Sequence, residues 1–148
     1  MSIHLRPARP LDASAMGDIL YSFQVEVHKA PRMWSGAETI AYCGEMIEND
    51  WVTMAEMAGR VVGFLARDGA EVCALYVVPD LRGAGLGQIL LDAAKQGRDR
   101  LWLKVMEYNS GAQRFYRRNG FAETARSDGA ENDENLPDIT MLWQREGT

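Results

Sequence analysis

Two cysteines, two histidines and no surplus of basic charge set the first limits on this chain of 148 residues. Cys43 and Cys73 lie in apolar settings at a separation that is neither a zinc spacing nor a disulfide framework, so both are expected as buried free thiols. His4 and His28 have no metal-ligand spacing with each other or with the cysteines, and no metal is expected. No apolar run approaches the roughly 20 residues a membrane helix needs. The opening MSIHLRPARPLD lacks the apolar stretch of a secretory signal. No membrane association and a reducing, cytoplasmic location are the expectation.

Basic charge is scarce enough to exclude a class of partner. The chain carries 21 acidic and 16 basic residues. Five of the acids (Asp128, Glu131, Asp133, Glu134, Asp138) fall in DGAENDENLPD, residues 128 to 138, which holds no base; elsewhere the two signs balance. Nucleic acid is therefore disfavoured, since nothing is left over to neutralise phosphates.

What the chain does have is regular patterning, with no internal repeat or linker, consistent with one domain over residues 1–148. Ile3 and Leu5 alternate with polar neighbours in a short strand. Asp12 is placed to cap a helix from Ala13 to His28 with Met16, Ile19, Leu20 and Phe23 on one face. An irregular connection containing Pro31 and Gly36 leads to a helix over Ala37 to Asn49. The period then shortens: WVTMAEM, RVVGFLARD and EVCALYVV read as strands separated by Gly59 and by Asp68-Gly69. Leu86 to Gln96 is helical, with Leu86, Ile89, Leu90 and Ala93 at helical spacing. LWLKV is a strand, Ser110 to Asn119 a helix stopped by Gly120, and two strands near 121–126 and 139–144 flank the acidic stretch. These elements predict an α/β fold on a mixed, mostly antiparallel sheet of about seven strands with about four helices.

The most informative stretch is VVPDLRGAGLGQIL. A strand, a glycine turn and a helix start make an anion site, because first-turn N–H groups are unpaired and the helix dipole favours negative charge there. Gly83, Gly85 and Gly87 leave room for backbone donors to approach phosphate oxygens, and Arg82 adds forked donors. No Gly-Lys-Ser/Thr follows, so this is not a P-loop; nor does a ribose-binding acid follow at dinucleotide-fold spacing. Taken alone, the glycines serve a tight packing turn equally well.

The wider pattern resembles a known family. Arg82-Gly83-Ala84-Gly85-Leu86-Gly87 matches the R/Q-x-x-G-x-G/A acyl-CoA motif of the GNAT N-acetyltransferase superfamily. Downstream, Asn109, Ala112, Phe115, Tyr116, Gly120 and Phe121 match its second signature, N-x-x-A-x-x-F/L-Y-x-x-x-G-F. The resemblance implies a GNAT fold and acetyl-CoA (coenzyme A) as co-substrate. Leu75, Tyr76 and Val77 would carry the pantetheine arm by strand addition, with one N–H near Tyr76 or Val77 polarising the thioester carbonyl. Gly83 to Gln88 would cradle the pyrophosphate.

Tyr116 takes the general-acid role in the resemblance, since a phenol stays protonated at neutral pH and can serve the departing thiolate; simple packing of Phe115 and Tyr116 is the alternative. Asn109 is a helix cap on its own chemistry and a pantetheine contact by resemblance. The base that deprotonates the amine is open between Glu107, which ends the LWLKV strand, Glu71, Asp138 and a water chain. The family builds acceptor pockets from regions that here span His28 to Ala37 and Asp128 to Asp138. Trp34 either lines that pocket or anchors its loop. Asp133, Asp138 and their acidic neighbours either draw in a cationic amine or simply form a solvated hairpin loop. The acceptor is thus a small or basic amine, with a protein N-terminus or lysine, or a non-catalytic acyl-CoA-binding module, as alternatives. Homodimers are common in the family, though no dimer signature is present.

Overall fold

A computed structural model describes residues 2–26, 36–132 and 135–146. The connection containing His28 and Trp34, and Asp133 with Glu134 in the acidic stretch, lie outside the described residues. Strands β1 (His4–Pro7), β2 (Val52–Met57), β3 (Arg60–Asp68), β4 (Glu71–Val77), β5 (Arg100–Met106), β6 (Ala122–Ser127) and β7 (Asp138–Gln144) form one sheet in the order β1-β2-β3-β4-β5-β7-β6. Helices α1 (Ala13–Glu26), α2 (Gly36–Glu48), α3 (Leu86–Lys95) and α4 (Ser110–Arg118) complete the fold. The mixed α/β architecture expected from the pattern is the one observed.

Every neighbouring pair of strands is antiparallel except β4 and β5. Those two run parallel and meet at a single register pair, Glu71 with Trp102. The Trp102 N–H donates to Ala70 O at 2.9 Å beside it. From there the strands part, dividing the sheet into β1–β4 and β5–β7–β6. A bulge shapes β4 near the fork: pairing jumps from Ala66–Ala74 to Arg67–Val72, leaving Cys73 as the extra residue.

The core is continuous despite the split. Met16, Met46, Met54, Phe64, Leu90, Leu91, Leu101, Leu103, Ile139 and Met141 are each at most 1% exposed. On α1, Met16, Ile19 and Leu20 are buried as their spacing predicts. On α3 the buried face is Leu86, Leu90, Leu91 and Ala94, and Ile89 is exposed. The expected stripe through Ile89 and Ala93 is thus rotated, because Leu91 faces the core in place of Ile89. Cys43 is buried and its thiol is pushed up to about 11 by that burial; Cys73, at the bulge, is only half-buried.

Two clusters tie the edges together. The end of α3 meets α4 and β7 at Lys95, whose Nζ donates to Asn119 O at 2.6 Å and lies over the Trp143 ring. Arg145 closes this corner by donating to Lys95 O at 2.7 Å. At the other edge Asp12 does not act as a simple cap for α1. It ends a 3-10 turn (Pro10–Asp12), accepts from the Arg9 N–H at 2.7 Å and takes two hydrogen bonds from Arg6 at 2.8 and 2.9 Å. Arg6 also reaches Glu56 on β2, at 3.2 Å. The guanidinium therefore outcompetes the helix N-terminus for this carboxylate.

The Arg6 guanidinium holds the Asp12 carboxyl below its ordinary value of 3.8. A carboxyl depressed by folding contributes stability that is present above its unfolded value and lost as pH falls through its folded one. Asp12→Asn is expected to cost roughly 1.5–3 kcal/mol at pH 7, the scale of hydrogen bonds to a charged partner. It should also flatten the loss of stability below about pH 4. Thermal denaturation of both proteins between pH 2 and pH 7 measures the two effects.

Candidate active site

The parting of β4 from β5 opens a cleft of about 980 Å³, large enough for an extended cofactor-sized ligand. Along one wall, Leu75, Tyr76 and Val77 present a strand edge that has no pairing on β5. Unpaired strand edges are strong templates for an added extended chain. The opposite wall is β5, and Asn109, Phe115 and Tyr116 of the α4 region line the same space.

The glycine loop closes one end. A 3-10 turn, Pro79–Leu81, leads the chain off β4 and is pinned by Asp80, which accepts from Arg60 Nη1 and Nη2 at 3.0 and 2.9 Å. Gly83 and Gly85 have φ of 82° and 87°, a region that disfavours side chains. Gly85 is the N-cap of α3. Among the described residues, the N–H groups of Gly83, Gly85, Leu86, Gly87 and Gln88 have no backbone acceptor. This donor set fits an anion. Gly87 is glycine for a different reason from the other two: a Cβ there would lie 3.2 Å from Phe115 Cζ. It gives α3 and α4 their close approach, so this glycine of the motif serves packing.

Helix α4 is set by its own ends. Asn109 Oδ1 accepts from the Ala112 N–H at 3.1 Å, so this residue is a helix cap. Buried Gln113 donates to Met106 O and Glu107 O, at 3.3 and 2.9 Å, fixing the helix to the end of β5. Sequence reasoning missed Gln113, although an amide on the inward side of a short helix was a visible signal. Tyr116 packs edge-on against Phe115 and Phe121, with ring centroids at 5.2 and 5.5 Å. Burial pushes its phenol above the ordinary value of 10.0, so it is protonated throughout the neutral range.

Of the residues singled out from sequence, Leu75, Tyr76, Val77, Arg82, Gly83, Gly85, Leu86, Gly87, Gln88, Asn109 and Tyr116 all line the cleft. Ala84 does not. Glu107 does not either: its half-exposed side chain lies 3.8 Å from Arg126, on the β6 side. Asp138 is 3% exposed and accepts from Asn132 Nδ2 at 3.1 Å, an internal brace of the loop rather than part of the cleft. Trp34 and Asp133 fall outside the described residues. Phe23, Tyr42, Lys104 and Arg118 line the cleft without having been singled out. No motif marks them; they arrive through tertiary packing.

Charge in the cleft opposes the charge of the chain. Among the described lining residues there are three cations, Arg82, Lys104 and Arg118, and no Asp, Glu or His, in a protein of net charge −5. Tyr42 and Cys73 line the end near the fork. Both are pushed above their ordinary values, chiefly by burial, with the charge of Glu71 adding to each.

Comparison with known proteins agrees with this fold. The acetyltransferase (GNAT) domain family matches residues 48–123. Peptidyl-lysine N-acetyltransferase YjaB of Escherichia coli is 37% identical over 93 residues, a match spanning 63% of each chain. The solution structure of apo YjaB from Escherichia coli shares the fold, with a TM-score of 0.81 at 24% identity, covering 97% of this chain and 98% of that one. YncA from Salmonella typhimurium, solved with its cofactor acetyl-CoA, gives a TM-score of 0.72 at 21% identity, covering 97% and 94%. Among the described residues no helix is long and apolar enough to cross a membrane.

Asn109→Ala is expected to destabilise the fold by about 1 kcal/mol through loss of the cap, while Asn109→Asp, which still accepts from the Ala112 N–H, should remain within a few tenths of the parent. Urea denaturation midpoints compare the three.

Proposed function

We propose that this chain, which belongs to the GNAT acetyltransferase family, is an N-acetyltransferase that moves the acetyl group of acetyl-CoA to a primary amine by direct attack on the thioester. The observation that carries the reading is the fork between β4 and β5. It keeps Leu75 to Val77 of β4 out of the β5 ladder, beside a cationic glycine loop and with the Tyr116 phenol lining the same space.

The division of labour follows from the chemistry of each wall. The edge at Leu75 to Val77 pairs with the pantetheine amides, and an N–H near Tyr76 or Val77 stabilises negative charge on the thioester oxygen. The N–H groups of Gly83, Gly85, Leu86, Gly87 and Gln88 hold the pyrophosphate, joined by the Arg82 guanidinium. Tyr116 donates a hydrogen bond or proton to the departing sulfur; its raised pKa keeps the donor proton in place but makes full transfer uphill, favouring the hydrogen bond. Asn109 holds α4 in position. Deprotonation of the amine runs through water, with Glu71, whose field reaches both Tyr42 and Cys73, as the carboxylate best related to the cleft.

For the acceptor, we favour a lysine side chain of a peptide. The E. coli relative YjaB is named a peptidyl-lysine N-acetyltransferase. Phe23, Tyr42 and Tyr76 would give an aliphatic stem an aromatic wall. A free small amine is the second reading, supported by the same apolar wall. Soluble, cytoplasmic action without metal fits this chemistry.

Acetyl-CoA at 100 times its Kd should stabilise the fold by about 2.7 kcal/mol, a thermal shift of several degrees, while ATP and NAD give none. Tyr116→Phe should keep the acetyl-CoA shift and lose about 100-fold or more in kcat toward a lysine peptide. Absence of an acetyl-CoA shift would remove the basis of the enzyme reading.

A further inference from the structure

Lys104 and Arg118 are the cleft cations the acetyl-CoA reading does not use. The register pair Glu71–Trp102 sets Trp102, Lys104 and Met106 of β5 on the same sheet face as Glu71. The bulge at Cys73 returns Ala74 and Tyr76 to that face. Tyr76 packs there against Phe23 of α1, ring centroids 5.2 Å apart. Leu103 and Val105 point the other way and are 1% and 6% exposed. Lys104 therefore stands on the α1 side of the fork, opposite the aromatic wall. Arg82 belongs to the glycine loop and Arg118 to the last turn of α4.

Among the described residues, nothing accounts for a lysine here. Its side chain is exposed, lines the cleft, and makes no ion pair or hydrogen bond with any described residue. Its cross-strand neighbour is Thr140. Among the described lining residues it is the one charged side chain on the α1 face; Glu71, on the same sheet face at the rung, does not line the cleft. An unpaired cation beside an amine-binding wall repels cationic flanking groups and attracts carboxylates.

We propose that Lys104 is a specificity residue that selects acceptors carrying a carboxylate close to the reacting amine, in a peptide an Asp or Glu beside the target lysine. This rests on the acetyltransferase reading, and it reverses the preference for basic acceptors suggested by the acidic stretch, whose described carboxylates do not line the cleft.

The test uses three peptides that differ only in one residue next to the lysine, Asp, Asn or Lys, with the full chain and with Lys104→Glu. Acetyl transfer gives KM and kcat, and fluorescence anisotropy gives peptide affinity for the protein saturated with coenzyme A. With the parent protein, KM and Kd should rise in the order Asp, Asn, Lys by about threefold per step, kcat changing little, as expected for a solvent-accessible charge pair. Lys104→Glu should invert the order while keeping the acetyl-CoA thermal shift. The same order in both proteins, or no order in either, overturns the proposal. Failure to acetylate any peptide, with the anisotropy order present and inverted by Lys104→Glu, would instead support Lys104 and count against the enzyme reading.

Discussion

The whole site depends on β4 and β5 meeting at one register pair and no more. A complete parallel ladder would satisfy both strand edges and leave no cleft. A wider separation would expose the core between Leu75 and Leu103. Each half-sheet has its own helix beside the fork: α3 packs on β3 and β4, and α4 is anchored to the end of β5 through Gln113. Beyond the rung, β4 carries backbone donors and acceptors outside the β5 ladder in a mostly apolar setting. Such groups are costly unless water or a ligand meets them. A ligand with amides along its length meets that demand in a way few small molecules can.

Electrostatics divides the molecule in a second sense. Acidic side chains dominate its overall charge, yet the described lining of the cleft is cationic. A phosphorylated ligand is repelled by the acidic stretch at residues 128–138 and attracted by the cleft. Within that place the cations differ in task. Arg82 adjoins a loop whose donors already suit an anion, whereas Lys104 shares its sheet face with Tyr76. Their separation gives the cleft two ends of different chemistry.

Much of this was legible before any coordinates. The strand–glycine–helix pattern at residues 77–90 pointed to a glycine turn at a helix start, and the spacing from Asn109 to Phe121 to a capped helix bearing a tyrosine; both elements are present. Both signals are local, and local signals survive in sequence. The fork was not legible, because periodicity shows that a strand exists but not how far it pairs. The bulge at Cys73 was hidden for the same reason, and with it the face on which Lys104 lies. Asp12 reads locally as a cap, and only the distant placement of Arg6 and Glu56 turns it into an ion pair. Gly87 looked like one more phosphate-loop glycine until Phe115 arrived from another helix. Glu107 seemed near the chemistry because it is near Asn109 in sequence, but the residue at the end of a strand turns toward whichever neighbour its register supplies, and here that is Arg126.

The contact between Gly87 and Phe115 has a mechanical meaning. The two half-sheets are joined at the fork by one rung, and beyond it by the touching helices α3 and α4, with Lys95 securing their far ends. A side chain at position 87 would press on the Phe115 ring and force α3 and α4 apart. One missing Cβ thus sets the spacing of the two helices that line the cleft on either side of the fork.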